Sequence, residues 1–259
     1  MTGHACYNYS KLIQMVIRFP LKTRQLINHY FNLKIGPHQI VCPYFQNITR
    51  KRAAPVYAGK GLPEEIEKEA KKIFRQEFLA QVDSQQLRLY LIQADLGIDC
   101  SGLATNILAS FLKEKGLKPI QQAFKYPSVN PFRQLIFQLR PRSNLSAFIL
   151  THPLNTTLVK DLNQVRPGDL LKISHHHVAL VTEVEIDKQK EITSFRYLHS
   201  TSDYLDQQGV RQGKIILSQK GKPLEKQKWL ERYRGKNWLR EDFLKAKPSE
   251  RGIYHLKIV

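Results

Sequence analysis

The chain has 259 residues, 42% of them hydrophobic, and its 41 Lys and Arg against 22 Asp and Glu give a formal net charge of +19. This composition excludes global disorder and allows either one embellished domain or a catalytic core with an extra lobe. The charge predicts attraction to a polyanion, such as a nucleic acid, an anionic lipid surface or a cell-wall polymer, without choosing among them.

The cysteines and the apolar runs indicate the compartment. Cys6, Cys42 and Cys100 include no close pair, which excludes a disulfide framework and makes a reducing cytosol the default. The apolar run at residues 12–17 is interrupted and stops at Arg18, so it is too short for a signal peptide or a transmembrane helix. We therefore expect a protein without a membrane span that is cytoplasmic by default, with export by another route as the alternative.

The first half of the chain is predicted to be mostly helical. Residues up to about 36 mix apolar and basic side chains without a clean period, and helix is expected there, before a short strand at 38–45. A helix is predicted from Pro63, with an apolar stripe. That stripe consists of Ile66, Ala70, Ile73, Phe74 and Phe78. A second helix is predicted to begin after Asp99, a good N-cap residue, and to close at Gly116.

The second half is predicted to form an antiparallel sheet after an irregular stretch. Residues 118–160, the proline-rich segment, hold four prolines before Pro153, so we interpret them as an insertion or lid without long regular elements. Strands are predicted at 169–174, 177–185, 192–200, 215–217 and 252–258. Helices followed by such a sheet define an α+β fold, with N-terminal helices packed on a C-terminal antiparallel sheet.

A second unusual stretch precedes the last strand. Residues 220–247, the basic segment, contain ten Lys or Arg against four Asp or Glu, with interleaved aromatic residues. These aromatic residues are Trp229, Tyr233, Trp238 and Phe243. Nucleic-acid binding is one interpretation, but no binding motif accompanies the charge, and a solvated surface over buried Trp residues is favoured.

Cys100 is the candidate nucleophile because it is predicted at the first turn of the second helix. Backbone N–H groups and the helix dipole at that position favour a thiolate and can face an oxyanion. Gly102 is expected to leave room for a substrate backbone. The alternative is that Cys100 is a small buried hydrophobic residue.

His177 is the candidate base. Of His175, His176 and His177, only the last is contiguous with the following apolar run, so it shares a strand face with Ala179 and Val181. A triple-histidine zinc site is the alternative. Adjacent strand residues point to opposite faces, so three consecutive histidines converge poorly on one ion, and we expect no metal.

His199 is the candidate third member of the site. If Glu185 faces Glu191 in a hairpin, His199 stands directly opposite His177. Cross-strand neighbours have Cβ atoms about 5 Å apart, close enough for one imidazole to fix the tautomer of the other. Taken alone, His199 also fits a polar residue at a strand end.

Four motifs together resemble a known family, the NlpC-type cell-wall cysteine peptidases of the papain-like superfamily. The motifs are DCSGL at 99–103, PGDL at 167–170, HVALV at 177–181 and LHS at 198–200. The resemblance covers residues 88–218, about half of the chain. It implies a papain-like fold, a triad of Cys100, His177 and His199, and cleavage of amide bonds in peptidoglycan stem peptides.

The chain also departs from that family. A Tyr and a Trp-Gly-Gly turn usually precede the nucleophile, whereas this chain has Tyr90 within LRLYLIQAD. Tyr90, Tyr44 and Ser101 are candidate accessory or oxyanion residues, and core packing is the alternative for both tyrosines. The separation of 77 positions from Cys100 to His177 exceeds the usual gap, which is consistent with an insertion.

The sequence thus predicts a cysteine hydrolase that acts on a peptide or cell-wall fragment and needs no metal or organic cofactor. Residues 1–85 are expected to form an N-terminal extension, and residues 86–259 a catalytic domain that includes the proline-rich and basic segments. The alternatives are an acyltransferase on the same fold and a non-catalytic basic protein that binds an anionic polymer or nucleic acid.

Overall fold

Most helices occupy the front of the chain and an antiparallel sheet occupies its second half, which gives an α+β fold. The computed structural model describes residues 13–45, 54–76, 81–128, 130–139 and 141–258. Its helices are α1 (Leu21–Phe31), α2 (Pro63–Gln76), α3 (Ser84–Gln93), α4 (Cys100–Glu114), α5 (Ile120–Ala123), α6 (Pro131–Leu139), α7 (Pro141–Asn144), α8 (Ala147–Leu150) and α9 (Trp238–Lys245). Its strands are β1 (Ile13–Arg18), β2 (Leu33–Ile35), β3 (His38–Ile40), β4 (Thr156–Leu158), β5 (Leu170–Lys172), β6 (Val178–Asp187), β7 (Ile192–Thr201), β8 (Gly209–Ile216), β9 (Lys228–Trp229) and β10 (Gly252–Leu256).

The main sheet has the order β4-β10-β5-β6-β7-β8-β9, and its neighbouring strands are antiparallel. β1 also pairs with β6, at residues 183–187, beyond the stretch that β5 uses. β2 and β3 form a separate hairpin. The two ten-residue strands β6 and β7 therefore lie at the centre of the main sheet.

The helix α4 packs against these central strands and is buried on all sides over residues 100–108. Such complete burial is typical of a helix that is apolar around its whole circumference. Leu180 and Leu198 belong to the same core as α4, whereas Val181 belongs to a second core that includes Trp229 of the basic segment. Because successive strand residues alternate between faces, both faces of the central strands are buried.

Several expectations about the elements are corrected. Residues 13–18 form β1 rather than helix, because this β-branched stretch completes hydrogen bonds along β6. The basic segment is more than a solvated surface, since it includes β9 and α9. The predicted boundary at residue 85 falls inside α3, and residues of α1 share the core of α4. Phe78, predicted in the stripe of α2, lies outside the described residues.

The proline-rich segment consists of short elements, as predicted, of which α6 with nine residues is the longest. Its last element, β4, pairs with β10, so the segment ends inside the sheet. Among the helices of the described residues, none combines the length and the apolar character needed to cross a membrane.

Candidate active site

Cys100 is the first residue of α4, and the start of this helix is held firmly. The Asp99 carboxylate accepts a hydrogen bond from the Gly102 N–H at 2.5 Å, which is the predicted N-cap. A Cβ atom on Gly102 would lie 2.1 Å from the carbonyl oxygen of Gly59. This glycine is thus needed for close packing of a neighbouring loop, and the expectation that it leaves room for substrate is wrong.

Lys60 from that loop reinforces the helix start and was not predicted as part of the site. Its ammonium group is buried and lies 2.9 Å from Asp99 Oδ1. It also contacts the hydroxyl of Ser101, and this hydroxyl donates to Asp99 Oδ1 at 3.0 Å. The Ser101 side chain therefore supports the ion pair between Lys60 and Asp99, next to Cys100.

The Cys100 thiol lies between backbone groups on either side of His177. It donates to the His176 carbonyl at 3.6 Å, and the Val178 N–H favours its thiolate form. Burial and then the charge of Asp99 nevertheless raise the pKa of Cys100 to about 11. The helix start therefore does not by itself produce a resting thiolate, because desolvation outweighs the dipole and the N–H groups.

His177 and His199 lie in contact, but not in the predicted register. Leu180 pairs with Leu198 and Val181 with Tyr197, which moves the pairing two residues away from the predicted one. The difference arises at the turn, where the Asp187 N–H donates to the Glu191 carbonyl, so Glu191 faces Asp187 rather than Glu185; the two bulges farther along the hairpin cancel. The two histidines are consequently diagonal neighbours, with His177 Nε2 3.3 Å from His199 Nδ1.

Behind His199 lies a buried carboxylate, Glu231, that sequence reasoning missed. His199 Nε2 is 3.0 Å from Glu231 Oε2, and Arg211 Nε donates to Glu231 Oε1 at 2.8 Å. The Tyr197 hydroxyl donates to the same carboxylate at 2.9 Å. The structure therefore places a continuous polar chain from His177 through His199 to Glu231.

A sequence signal for Glu231 does exist in the basic segment. Residues around β9 alternate strictly between buried and exposed. The buried residues are Gln227, Trp229, Glu231 and Tyr233, and the exposed ones are Lys228, Leu230, Arg232 and Arg234. An acidic residue in phase with Trp229 and Tyr233 is out of place in a solvated surface, since a buried carboxylate needs partners.

The two ends of the polar chain that links His177, His199 and Glu231 differ in protonation state. Burial, and next the neighbouring His199, lower the pKa of His177 to about 3. Burial would raise the pKa of Glu231, but the charge and hydrogen bond of His199, together with Arg211, hold it well below its usual range. At neutral pH the site therefore holds an ionised Glu231 and a neutral His177.

These states fix the histidine tautomers through the hydrogen-bond partners. An ionised Glu231 can only accept, so Nε2 of His199 carries a proton. In the form of the site with a neutral His199, which the proposal below uses, Nδ1 of His199 is unprotonated and accepts from His177. His177 then carries its proton on Nε2, which donates to Nδ1 of His199, and its own Nδ1 is unprotonated. Nδ1 of His177 is then the atom of this hydrogen-bonded chain that can accept a proton.

Tyr44 and Tyr90 lie in different surroundings. Tyr44 forms a parallel bridge with Ile98, and its pKa is raised by burial and next by the charges of Cys100 and Asp99. Tyr44 is therefore in the electrostatic environment of the thiol. Tyr90 lies on α3 and packs, partly buried, against the main core.

The three consecutive histidines do not point together. His175 and His176 are exposed and lie ring against ring, 4.7 Å between centroids, while His175 also contacts Phe148 at 5.5 Å. His177 turns instead toward His199. Within the ranges described, no group of three or more His, Cys, Asp or Glu side chains is arranged to hold a metal.

Comparison with known proteins does not assign a family. No family model matches the chain, and comparisons with curated proteins and with solved structures gave no match. A functional assignment therefore depends on the geometry of Cys100, His177, His199 and Glu231.

Proposed function

We propose that this chain is a cysteine hydrolase of amide bonds on a papain-like fold, with Cys100 as nucleophile and His177 as general base. The observation that carries the proposal is the polar chain from Glu231 through His199 to His177, which ends beside the residues whose backbone contacts the Cys100 thiol. A nucleophile, a base and groups that orient the base are the recurring parts of thiol-dependent acyl transfer.

In the proposed reaction, Nδ1 of His177 takes the thiol proton as Sγ of Cys100 bonds to the substrate carbonyl carbon. The resulting oxyanion is stabilised by backbone N–H groups at the start of α4, including that of Cys100. The C–N bond then breaks, and His177 returns the proton to the leaving amine. Water next attacks the thioester with His177 as base, which releases a carboxylic acid and regenerates the thiol.

Glu231 and His199 have a positioning role in this scheme, because neither touches the reacting atoms. His199 holds the tautomer and orientation of His177. Glu231 fixes the tautomer of His199, and its negative charge stabilises the imidazolium that forms on His177 during attack. Arg211 and the Tyr197 hydroxyl keep Glu231 in place and ionised.

Peptidoglycan stem peptides are the proposed substrates, on the basis of the resemblance of the DCSG, HVALV and LHS motifs to NlpC-type peptidases. The test is incubation with purified peptidoglycan fragments followed by mass analysis. Cys100→Ala removes the nucleophile, and Cys42→Ala is the matched control, since Cys42 is another buried cysteine in the same core.

We expect fragments with newly hydrolysed amide bonds from the wild type and from Cys42→Ala, and none from Cys100→Ala. Cleavage that survives in Cys100→Ala would contradict thiol catalysis. A wild type that leaves these fragments intact, yet forms an acyl adduct on Cys100 with an activated ester, would refute the substrate class and leave the nucleophile assigned.

An acyltransferase is the second candidate, favoured by apolar surface beside the site. Exposed Phe148 contacts His175, and it also lies against His152, which lines a cleft of about 960 Å³ together with Phe124, Tyr126 and Phe137. In that reaction an alcohol or amine replaces water in resolving the thioester. An acylated acceptor in the product mixture, without free acid, would distinguish it from hydrolysis.

A further inference from the structure

The helix α6 presents its apolar face to solvent. Phe132, Leu135, Ile136 and Leu139 follow the i, i+3, i+4, i+7 spacing of one helical face, and their exposed fractions are 68%, 50%, 38% and 72%. Such a stripe normally packs onto the core. Here the opposite side of the helix does so, through buried Phe137, whose ring lies 5.2 Å from that of Tyr126.

The segment that carries this stripe is basic in sequence; Arg133 lies on α6 itself, and Lys125 lines the same cleft as Phe137 of α6. The proline-rich segment, 118–160, contains six Lys or Arg residues and no Asp or Glu, a formal charge of +6. Lys118, Lys125, Arg133 and Lys160 are exposed. Arg142, by contrast, is paired with Glu65 of α2 at 2.8 Å and is not available to a partner.

The combination of an apolar stripe with positive charge decides the kind of partner. A second copy of this chain would bring a like charge to the interface, because each copy has a net charge of +19. Nucleic acid matches the charge but offers no apolar phase for Phe132 and its neighbours. An anionic lipid bilayer offers both, phosphates for the basic side chains and acyl chains for the stripe.

We propose that α6 docks the protein on an anionic lipid bilayer, with the stripe of Phe132, Leu135, Ile136 and Leu139 inserted at the boundary between headgroups and acyl chains. The inference rests on α6 and the charge of the proline-rich segment, and is independent of the proposed catalysis. Docking there brings the bilayer to the segment that borders the candidate site, since Phe148 of this segment contacts His175.

The test is co-flotation of the purified chain with vesicles of phosphatidylcholine alone, or of phosphatidylcholine and phosphatidylglycerol in equal amounts. The stripe is removed by combining Phe132→Ser, Leu135→Ser and Leu139→Ser. The matched control combines Leu21→Ser, Leu205→Ser and Leu244→Ser, whose leucines are 58%, 58% and 41% exposed outside the segment. Thermal unfolding of each variant checks that the fold is retained.

We expect binding to the anionic vesicles only, weakened by added salt, and a loss of roughly tenfold or more in the stripe variant with little change in the control. Absence of binding, equal binding to both vesicle types, or undiminished binding by the folded stripe variant would overturn the proposal. Sedimentation that shows a dimer lost in the stripe variant would assign the stripe to a second copy instead. If the stripe variant fails to fold, tryptophan emission of Ile136→Trp decides, since it must shift to the blue with anionic vesicles alone.

Discussion

The candidate site contains two buried or partly buried carboxylates whose charges have opposite effects in the proposed reaction. Asp99 lies beside the nucleophile, where its charge raises the pKa of Cys100, and Lys60 at 2.9 Å offsets part of that charge. Glu231 lies behind the base, 3.0 Å from His199 and paired with Arg211. A negative charge disfavours a thiolate but stabilises an imidazolium.

The difference indicates that the resting site keeps both reacting partners neutral. With the pKa of Cys100 at about 11 and that of His177 at about 3, no proton moves from thiol to imidazole before a substrate arrives. In the proposed reaction the proton moves as the Sγ–C bond forms, and only then does the charge of Glu231 act on a cation. In the proposed reaction the base side therefore stabilises the charge that forms during attack, and the nucleophile side sets the environment of the thiol.

The largest expected effect is that of His177→Ala. Loss of the general base lowers kcat by about 100- to 10,000-fold. His175→Ala is the control, because His175 is exposed and contacts Phe148 rather than His199, and its effect on hydrolysis is mild. Steady-state kinetics on a cleaved peptide substrate measure both. Comparable losses in the two variants would place the base at a different histidine.

A smaller loss is expected for His199→Ala, whose role is orientation. It lowers kcat with little change in KM, and His199→Asn or His199→Gln retains part of the activity through one hydrogen bond. The double variant with His177→Ala is scarcely worse than His177→Ala alone, because the two residues act as one unit. Fully multiplicative losses would show that His199 acts on the substrate instead.

Glu231→Gln is expected to lower kcat by roughly 10- to 100-fold, as for other residues that orient a functional histidine. The amide can donate as well as accept, so the His199 tautomer is no longer fixed. Glu225→Gln is the matched control, since Glu225 lies in the same basic segment but pairs with Arg251. Steady-state kinetics at fixed pH compare the two variants. Glu231→Asp keeps the carboxylate and is expected to retain part of the kcat that Glu231→Gln loses. Equal activity of Glu231→Gln and the control would show that Glu231 has no positioning role in the reaction.

On the nucleophile side, Lys60→Met is expected to act mainly on stability. It leaves the Asp99 charge without its cation, which costs about 1–3 kcal/mol in the free energy of unfolding and further disfavours the thiolate. Urea unfolding and the rate of Cys100 alkylation by iodoacetamide measure the two effects. Adding Asp99→Asn to Lys60→Met removes the uncompensated negative charge, so it restores part of the unfolding free energy and part of the alkylation rate. An unchanged alkylation rate in Lys60→Met would mean that the ion pair does not influence the thiol.

The last expected effect is on stability alone, a pH dependence due to His177. Its pKa is about 3 in the folded state and 6.5 without the fold, so the unfolded chain binds this proton first as the pH falls. The stabilising contribution is complete above pH 6.5 and is lost progressively toward pH 3. The unfolding free-energy difference between wild type and His177→Ala should thus shift in favour of the variant between pH 7.5 and 4.5. A constant difference would contradict the depressed pKa.

Local signals made part of the site predictable. Asp99 before an apolar helix, and two β-branched runs separated by a short turn, predicted α4 and the central hairpin because capping and strand periodicity depend on neighbouring residues. The predicted register of the hairpin is wrong because it puts the turn too early in the chain. β6 continues to Asp187, which faces Glu191, and this places His199 diagonally from His177; the two bulges of the hairpin cancel and do not contribute.

The residues that were missed act over long distances in the chain. Lys60 reaches Asp99 across 39 positions and Glu231 reaches His199 across 32. Glu231 stands in the basic segment, whose overall charge suggested a solvated surface, so the composition concealed one buried carboxylate. The one local indication of a buried Glu231 is its spacing of two residues from Trp229 and from Tyr233. This spacing places the three side chains on one face if the backbone is extended there.

The most direct test of the central claim is the reaction of the chain with p-nitrophenyl acetate, followed by intact-mass analysis and peptide mapping. This ester needs no proton on its leaving group, so it reports the attack step alone. We predict a burst of p-nitrophenolate and one acetyl group on Cys100, slower in His177→Ala and absent in Cys100→Ala. Acetyl groups on Cys42 or lysines with none on Cys100 in the rapidly quenched wild type, together with a rate of p-nitrophenolate release that Cys100→Ala leaves unchanged, would contradict Cys100 as the nucleophile.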